Sequence, residues 1–295
     1  MRALVVINPR ARAVVGSGTA DRITAGLQTR GVEPVLHISE TEEGTGAAIE
    51  AAIADGIDVV VAVGGDGTVG SVANHLVGRP LALGVIPLGT ANIAARRAGI
   101  APGDIDRACE VIAAGKTRTV DVGRIDDRYF AAMGGIGIDA EVIASVERGW
   151  KRWVGRLAFI GRFLIALVTE KPGEYRMRFD GGELVAKKLW GIIVCNTPQY
   201  GWRITLVPEA VEDDGVLDVV LLNACGRVAL LWTALGLFAA GRPARANPRL
   251  TVLRSRSFEV DCQPPAPWHA DGDVRDLTPV TVSVVPGGLR VLTAQ

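Results

Sequence analysis

The sequence predicts an α/β domain with a mostly parallel sheet over residues 1–122 and a β-rich second domain over 123–285, with a last strand at about 286–295 returning to the first. Three observations predict this. From Met1 to about Val122, short β-rich runs alternate with helical segments, the pattern of βα units around a parallel sheet. After Val122 the texture changes to shorter strand candidates separated by Gly, Pro and Asp turns. At 295 residues the chain is also near the length at which single cores stop growing.

In order, strands are expected at Ala3–Ile7, Pro34–Ile38, Ile57–Val63 and Leu81–Ile86, each a run of branched apolar residues. Helices are expected at Thr19–Arg30, Glu43–Asp55, Thr68–Val77, Thr90–Ala98 and Asp104–Ala114. Gly31, Gly56, Gly78 and Gly99 fall where helix ends favour a residue with positive φ. A parallel sheet binds ligands at the carboxyl ends of its strands, where the GGDGT and PLGTAN turns lie. In the second half, strands are expected at Tyr175–Asp180, Leu189–Cys195, Gly215–Leu222, Ser257–Cys262 and Thr281–Val285. A helical segment at Gly149–Thr169 mixes Trp150, Trp153, Phe159 and Phe163 with Lys151, Arg152, Arg156 and Arg162. That mixture suits a membrane interface, and equally an amphipathic helix packed on the sheet with its cations in water.

Composition excludes several classes. With 48% hydrophobic and 22% charged residues and a mean hydropathy of +0.27, the chain is globular, and an apolar ligand or membrane surface is favoured. Its 32 basic and 32 acidic residues balance, which argues against nucleic acid as a partner. Cys109, Cys195, Cys225 and Cys262 lack metal or disulfide spacing, which fits a reducing cytosol. MRALVVINPR starts directly as a strand without the apolar core of a secretory signal, so a cytoplasmic location is expected. The greasiest stretches, Val154–Val168 and Val228–Ala240, are too short or too interrupted to span ~30 Å of hydrocarbon.

The most informative stretch is Ile57–Asn74, IDVVVAVGGDGTVGSVAN. Gly64, Gly65 and Gly67 remove side chains where the chain turns into a helix, leaving bare amides that can approach a phosphate. Asp66 and Thr68 supply the side-chain oxygens there. An ordinary strand-to-helix turn is the alternative. Four further islands accompany it: Asn8-Pro9 after the first strand, PLGTAN at Pro87–Asn92, VPEAVEDDGVLDVV at Val207–Val220, and WHADGD at Trp268–Asp273.

This ordered set resembles the catalytic domain shared by diacylglycerol kinases, sphingosine and ceramide kinases and soluble bacterial lipid kinases, over nearly the whole chain. The resemblance implies a Rossmann-like sheet of the NAD kinase and phosphofructokinase type joined to a β-sandwich. It implies an ATP-dependent, Mg²⁺-requiring transfer of a γ-phosphoryl group to a lipid hydroxyl, with the nucleotide between the domains and the lipid chain in the β-rich half. Residues Gly64, Gly65, Asp66, Gly67, Thr68, Val69 and Gly70 would form the phosphate cradle, with Thr41 and Thr90 as further nucleotide contacts and Asn8 fixing the first turn. Asp271 would be the general base, acting late as the bond to ADP breaks; a turn residue in an A-D-G-D hairpin is the other reading. A second Mg²⁺, structural or regulatory, would be held by the Asp214 side chain and the carbonyls of Val211 and Val216, where a plain Asp-Asp-Gly turn is the competing reading. The implied location is the inner face of a membrane, reached peripherally, with a homodimer as an allowed assembly.

Several residues depart from the family pattern. Ile93 stands where the bacterial pattern has Asp, Ser71 replaces a Glu, and Asp273 stands for the Glu of DGE. Asp121 keeps the pattern and is expected to join Asp66 in an acidic network. The departures keep two other functions open: a weakened nucleotide- or lipid-binding regulator, and a kinase for a soluble substrate such as NAD.

Overall fold

The computed structural model describes residues 1–9, 18–89, 92–148, 155–200, 204–224, 226–238 and 241–294. Its contacts divide the chain into two compact units, Met1–Val122 with Pro286–Gln295, and Gly123–Val285.

The first unit is built from β1 (Arg2–Ile7), α1 (Thr19–Gln28), β2 (Glu33–Ile38), α2 (Glu42–Ala54), β3 (Val59–Gly64), α3 (Asp66–Leu76), β4 (Ala82–Pro87), α4 (Ile93–Arg97) and α5 (Ile105–Ala114), followed by the start of β5 (Thr117–Ile125). The strands lie in the order β2-β1-β3-β4, all parallel, and Arg290 and Val291 of the last strand pair in parallel with β4. β3 and β4 are buried along their whole length, as central strands covered on both faces must be. The helices therefore present apolar stripes to the sheet, such as Ile23 and Leu27 on α1 and Val69, Val72 and Leu76 on α3. Gly31, Gly56, Gly78 and Gly99 take φ of +76°, +67°, +73° and +78°, the left-handed geometry that ends a helix.

Two expected boundaries shift here for local reasons. The helix expected from Thr68 begins at Asp66, because Gly65 caps it and its carbonyl accepts the N–H groups of Thr68 and Val69. The helix expected over Thr90–Ala98 is cut to Ile93–Arg97 among the described residues, since Asn92 sits at φ +50° and cannot continue it backwards. Thr90 itself lies outside the described residues.

The second unit contains β6 (Arg128–Phe130), β7 (Met133–Gly137), α6 (Ile138–Arg148), α7 (Gly155–Thr169), β8 (Gly173–Phe179), β9 (Leu184–Cys195), β10 (Gln199–Tyr200), β11 (Ile204–Thr205), β12 (Leu217–Asn223), α8 (Arg227–Phe238), β13 (Leu250–Ser255), β14 (Ser257–Gln263), β15 (Pro267–Ala270), β16 (Asp273–Leu277) and the start of β17 (Val280–Leu292). Its strands pair antiparallel, with β9 at the centre: residues 184–189 pair with β8, and 191–195 with β7 and β12. Alternation along β9 feeds two cores. Leu189, Ile192 and Val194 join Phe130, Tyr175 and Trp268 on one face; Trp190, Ile193 and Cys195 meet α6, α7 and α8 on the other.

The expected helix over Gly149–Thr169 is seen as α7 from Gly155, while Trp150, Lys151, Arg152 and Trp153 lie outside the described residues. No described helix is long and apolar enough to cross a membrane.

Candidate active site

In the first unit, the turns that follow β1, β3 and β4 are tied to one another by hydrogen bonds. The N–H of Leu88 donates to the carbonyl of Gly64 at 2.9 Å, and Asn8 donates from Nδ2 to Thr68 Oγ1 at 3.0 Å and from its backbone to Val63 at 3.3 Å. Asp66 completes the joint: its two carboxylate oxygens accept the N–H groups of Asn92 at 2.9 Å and Ile93 at 2.7 Å, capping α4 from the neighbouring turn. Burial pushes the Asp66 carboxyl above its usual range, against the pull of those two N–H donors. The Asn92 side chain closes a ring on Gly89, accepting its N–H at 3.0 Å and donating to its carbonyl at 2.8 Å.

The glycines of this joint serve different ends. A Cβ on Gly64 would fall 2.4 Å from Thr68 Oγ1, and one on Gly89 would fall 2.4 Å from the Cα of Gly65, so these residues let backbones and side chains close up. Gly67 differs. A Cβ there would meet nothing within 4 Å, and its φ is outside the left-handed region, so neither packing nor backbone geometry demands a glycine. Its bareness leaves open space over the first turn of α3, where the Gly67 N–H comes before those of Thr68 and Val69, the first that the Gly65 carbonyl accepts. The residues thus fit a phosphate here.

Other nucleotide candidates have structural work of their own. Thr41 caps α2, its Oγ1 accepting the Gly44 N–H at 3.0 Å. Val69 faces the core, and Gly70 offers its carbonyl to Asn74. Asp121 accepts the N–H of Gly287 at 2.7 Å, fixing the returning strand.

In the second unit, Asp271 and Gly272 form the two-residue turn between β15 and β16, with φ of +48° and +91°. Both positive angles mark a type I′ hairpin turn, for which Asp-Gly is a preferred pair. The Asp271 carboxylate is held by three backbone N–H groups: Ala131 at 2.6 Å on Oδ2, and Ala132 and Met133 at 3.0 and 2.9 Å on Oδ1. Asp273 pairs with Arg275.

One residue behind the turn, His269 is fully buried. Its Nε2 lies 2.8 Å from Asp139 Oδ2, its Nδ1 accepts the Gly272 N–H at 3.2 Å, and the Tyr200 hydroxyl donates to the other Asp139 oxygen. Sequence reading missed this group: Asp139 and His269 are 130 residues apart, and a single His in WHADGD carries no spacing signal. Asp139 and Tyr200 also form the polar wall of an apolar cavity lined by Val142, Phe163, Leu222 and Leu230.

In the Asp-Asp-Gly segment the expected ligand side chain, Asp214, is paired with an arginine. Asp214 gives one carboxylate oxygen to the Arg254 guanidinium and the other to the Val216 N–H at 3.2 Å, while the Val211 side chain is exposed. Asp218 beside it is buried with Arg245 and Arg254 at 3.5 and 3.9 Å, and burial raises its carboxyl pKa. Both carboxylates thus have arginine partners.

The diacylglycerol kinase catalytic domain matches residues 2–125, and the YegS C-terminal NAD kinase beta sandwich-like domain matches residues 132–293. The chain belongs to the diacylglycerol kinase family. A diacylglycerol kinase of Mycobacterium tuberculosis is 30% identical over 287 residues, covering 94% of this chain and 91% of that protein. A crystal structure of a diacylglycerol kinase from Bacillus anthracis shares the fold at a TM-score of 0.73 and 18% identity, covering 99% of this chain and 96% of its own. An Archaeoglobus fulgidus NAD kinase solved with ATP is more distant, with a TM-score of 0.57 at 17% identity over 100% of this chain and 94% of its own. The expected architecture, an α/β domain of NAD kinase type with a β-sandwich, is thus the one observed. Membership of the diacylglycerol kinase family makes the chain a lipid-kinase enzyme with ATP as co-substrate.

Proposed function

We propose that this enzyme transfers the γ-phosphoryl group of ATP to the hydroxyl of a membrane lipid of diacylglycerol-like, sphingoid or phosphatidylglycerol-like type. The nucleotide's phosphates lie over the first turn of α3 at Gly67, with Thr41 as a further contact. The acceptor oxygen attacks the γ-phosphorus, the bond to the β-phosphate oxygen breaks, ADP leaves, and the hydroxyl proton passes to the Asp271 carboxylate. Mg²⁺ travelling with ATP supplies charge neutralisation on the phosphates.

The observation that carries the lipid part is the helical face of the second unit. Leu164, Ile165 and Val168 of α7 and Val228, Trp232 and Leu235 of α8 are exposed large apolar residues, with Val168 at 70%, Val228 at 69% and Trp232 at 64% exposure. Arg227 of α8 binds the carbonyls of Leu167, Val168 and Glu170 at the end of α7, locking the two helices together. An apolar face of this extent on helices that also wall an apolar cavity is suited to a lipid surface. The exposed Lys171, just beyond the end of α7, and the half-buried Arg162 on α7 suit anionic headgroups.

The test is phosphorylation with labelled ATP and Mg²⁺, offering vesicles of diacylglycerol, sphingoid base or phosphatidylglycerol beside soluble NAD. Labelled lipid, lost in Asp271→Ala with the fold intact, is the expected result. Labelled NAD alone would replace the acceptor, and nucleotide binding without turnover on any acceptor would make the chain a regulator, as Ile93 and Ser71 allow.

A further inference from the structure

A buried histidine must satisfy two ring nitrogens, and the partners here dictate how. A backbone N–H can only donate, so the Gly272 N–H at 3.2 Å makes Nδ1 of His269 the acceptor and leaves the ring proton on Nε2. That proton faces Asp139 Oδ2 at 2.8 Å. The other Asp139 oxygen takes the Tyr200 hydroxyl, which stays protonated because burial and the adjacent carboxylate push its pKa far up. Every hydrogen bond in the chain Tyr200, Asp139, His269, Gly272 therefore has one allowed direction.

The fold is cut to fit this chain. Gly135 pairs with His269 across β7 and β15, and a Cβ on it would lie 2.3 Å from both Asp139 Oδ2 and His269 Nε2. A carboxylate buried to 6% exposure beside an apolar cavity is a poor way to gain stability, since a well-packed apolar side chain commonly does as well. What it gains is a fixed geometry one residue from the turn that carries Asp271.

We propose that His269, oriented by Asp139 and Tyr200, is the positioning residue that holds the Asp271–Gly272 turn during phosphoryl transfer. The inference rests on the reading of Asp271 as proton acceptor. At rest the turn has two anchors: the Asp271 carboxylate on the amides of residues 131–133, and the Gly272 N–H on His269. A carboxylate that turns to accept a proton gives up the first anchor, so the turn then loses the three amide contacts that held its leading residue. The second anchor uses no atom of Asp271, so it keeps the turn in place while the carboxylate reacts.

Two substitutions separate the halves of the histidine. His269→Gln keeps a donor near the Nε2 position for Asp139 and removes the acceptor for Gly272; His269→Asn keeps an acceptor near Nδ1 and removes the donor. Hydrogen exchange at the Gly272 amide should quicken about tenfold in the Gln variant and stay near wild type in the Asn variant. The value of kcat should fall about tenfold in Gln with KM for ATP unchanged, and recover in Asn. Unchanged exchange and kcat in His269→Gln, or equal losses in both variants that follow the melting temperature, would overturn the proposal. If neither variant folds, long-range ¹⁵N–¹H spectra of the wild-type ring decide it: a proton on Nε2 supports the anchor, and a proton on Nδ1 excludes it. Asp271→Asn measured in parallel keeps the two ideas apart, because full activity there sinks the base assignment and not the anchor.

Discussion

Gly67→Ala should raise stability and lower nucleotide affinity in the same molecule, an opposition that no purely structural role for this glycine produces. The added methyl meets no atom within 4 Å, and the backbone already has ordinary helical geometry within α3. Replacing a helical Gly by Ala then contributes up to about 1 kcal/mol, by restricting the unfolded chain and by better helix propensity. For a chain of this size that is a rise of about 2–4 °C in melting temperature. The same methyl stands where phosphate oxygens must approach the first-turn amides, and should cost at least about tenfold in affinity, or about 1.4 kcal/mol. Differential scanning fluorimetry and calorimetric titration with a non-hydrolysable ATP analogue read the two effects separately. A variant with raised melting temperature and undiminished nucleotide affinity would show that phosphate does not sit over Gly67.

Gly89→Ala should do the reverse, losing about 1–3 kcal/mol or more in urea unfolding, because its Cβ would fall 2.4 Å from Gly65 Cα, which is backbone and cannot swing aside. Asp66→Asn should change the pH dependence of stability. The folded carboxyl is raised above 3.8, so its contribution is fully present below about 3.8 and is lost as pH rises through the folded value. The stability of wild type relative to Asp66→Asn should therefore shrink as pH rises above about 4 in denaturant titrations, and a constant difference would contradict it. Trp232→Glu, at a 64% exposed site, should leave the melting temperature within about 1 °C while reducing vesicle binding in flotation assays. Ala234→Leu, on the cavity wall, should lower kcat/KM for long-chain acceptors more than for short-chain ones in the labelled-ATP assay.

The first unit was legible almost element by element, and the reason is burial. Strands such as VVVAVG are covered on both faces and so appear as unbroken apolar runs, while positive-φ glycines mark the ends of their helices. The second unit hid more. β7, MGGIG, has the composition of a loop, yet it is a buried strand whose glycines exist for contact: Gly134 makes room for Ile125, and Gly135 for Asp139 and His269. β9 begins at Leu184 rather than Leu189, because its exposed start, LVAKK, is held by pairing with β8 rather than by apolar alternation. β5, β6, β13, β15 and β16 and the helix α6 also escaped a pattern-based reading, being short or carrying polar residues at paired positions.

The site shows the same division between motif and partner. GGDGT and PLGTAN were visible as separate turns, but their joining was not, since a motif names residues and not the atoms they bind. Asp66, which the sequence offered as an oxygen ligand in the cradle, spends both oxygens on the second turn, and the backbone of Ile93 takes part although its side chain is apolar. An apolar side chain at position 93 therefore leaves the joint intact and puts no charge there. Any weakening of catalysis by Ile93 should then appear in the metal dependence of turnover, with the nucleotide cradle as firmly built as before. An Ile93→Asp variant should lower the Mg²⁺ concentration needed for half-maximal rate at unchanged affinity for metal-free nucleotide; a change in nucleotide affinity alone would place the effect of position 93 in the joint itself.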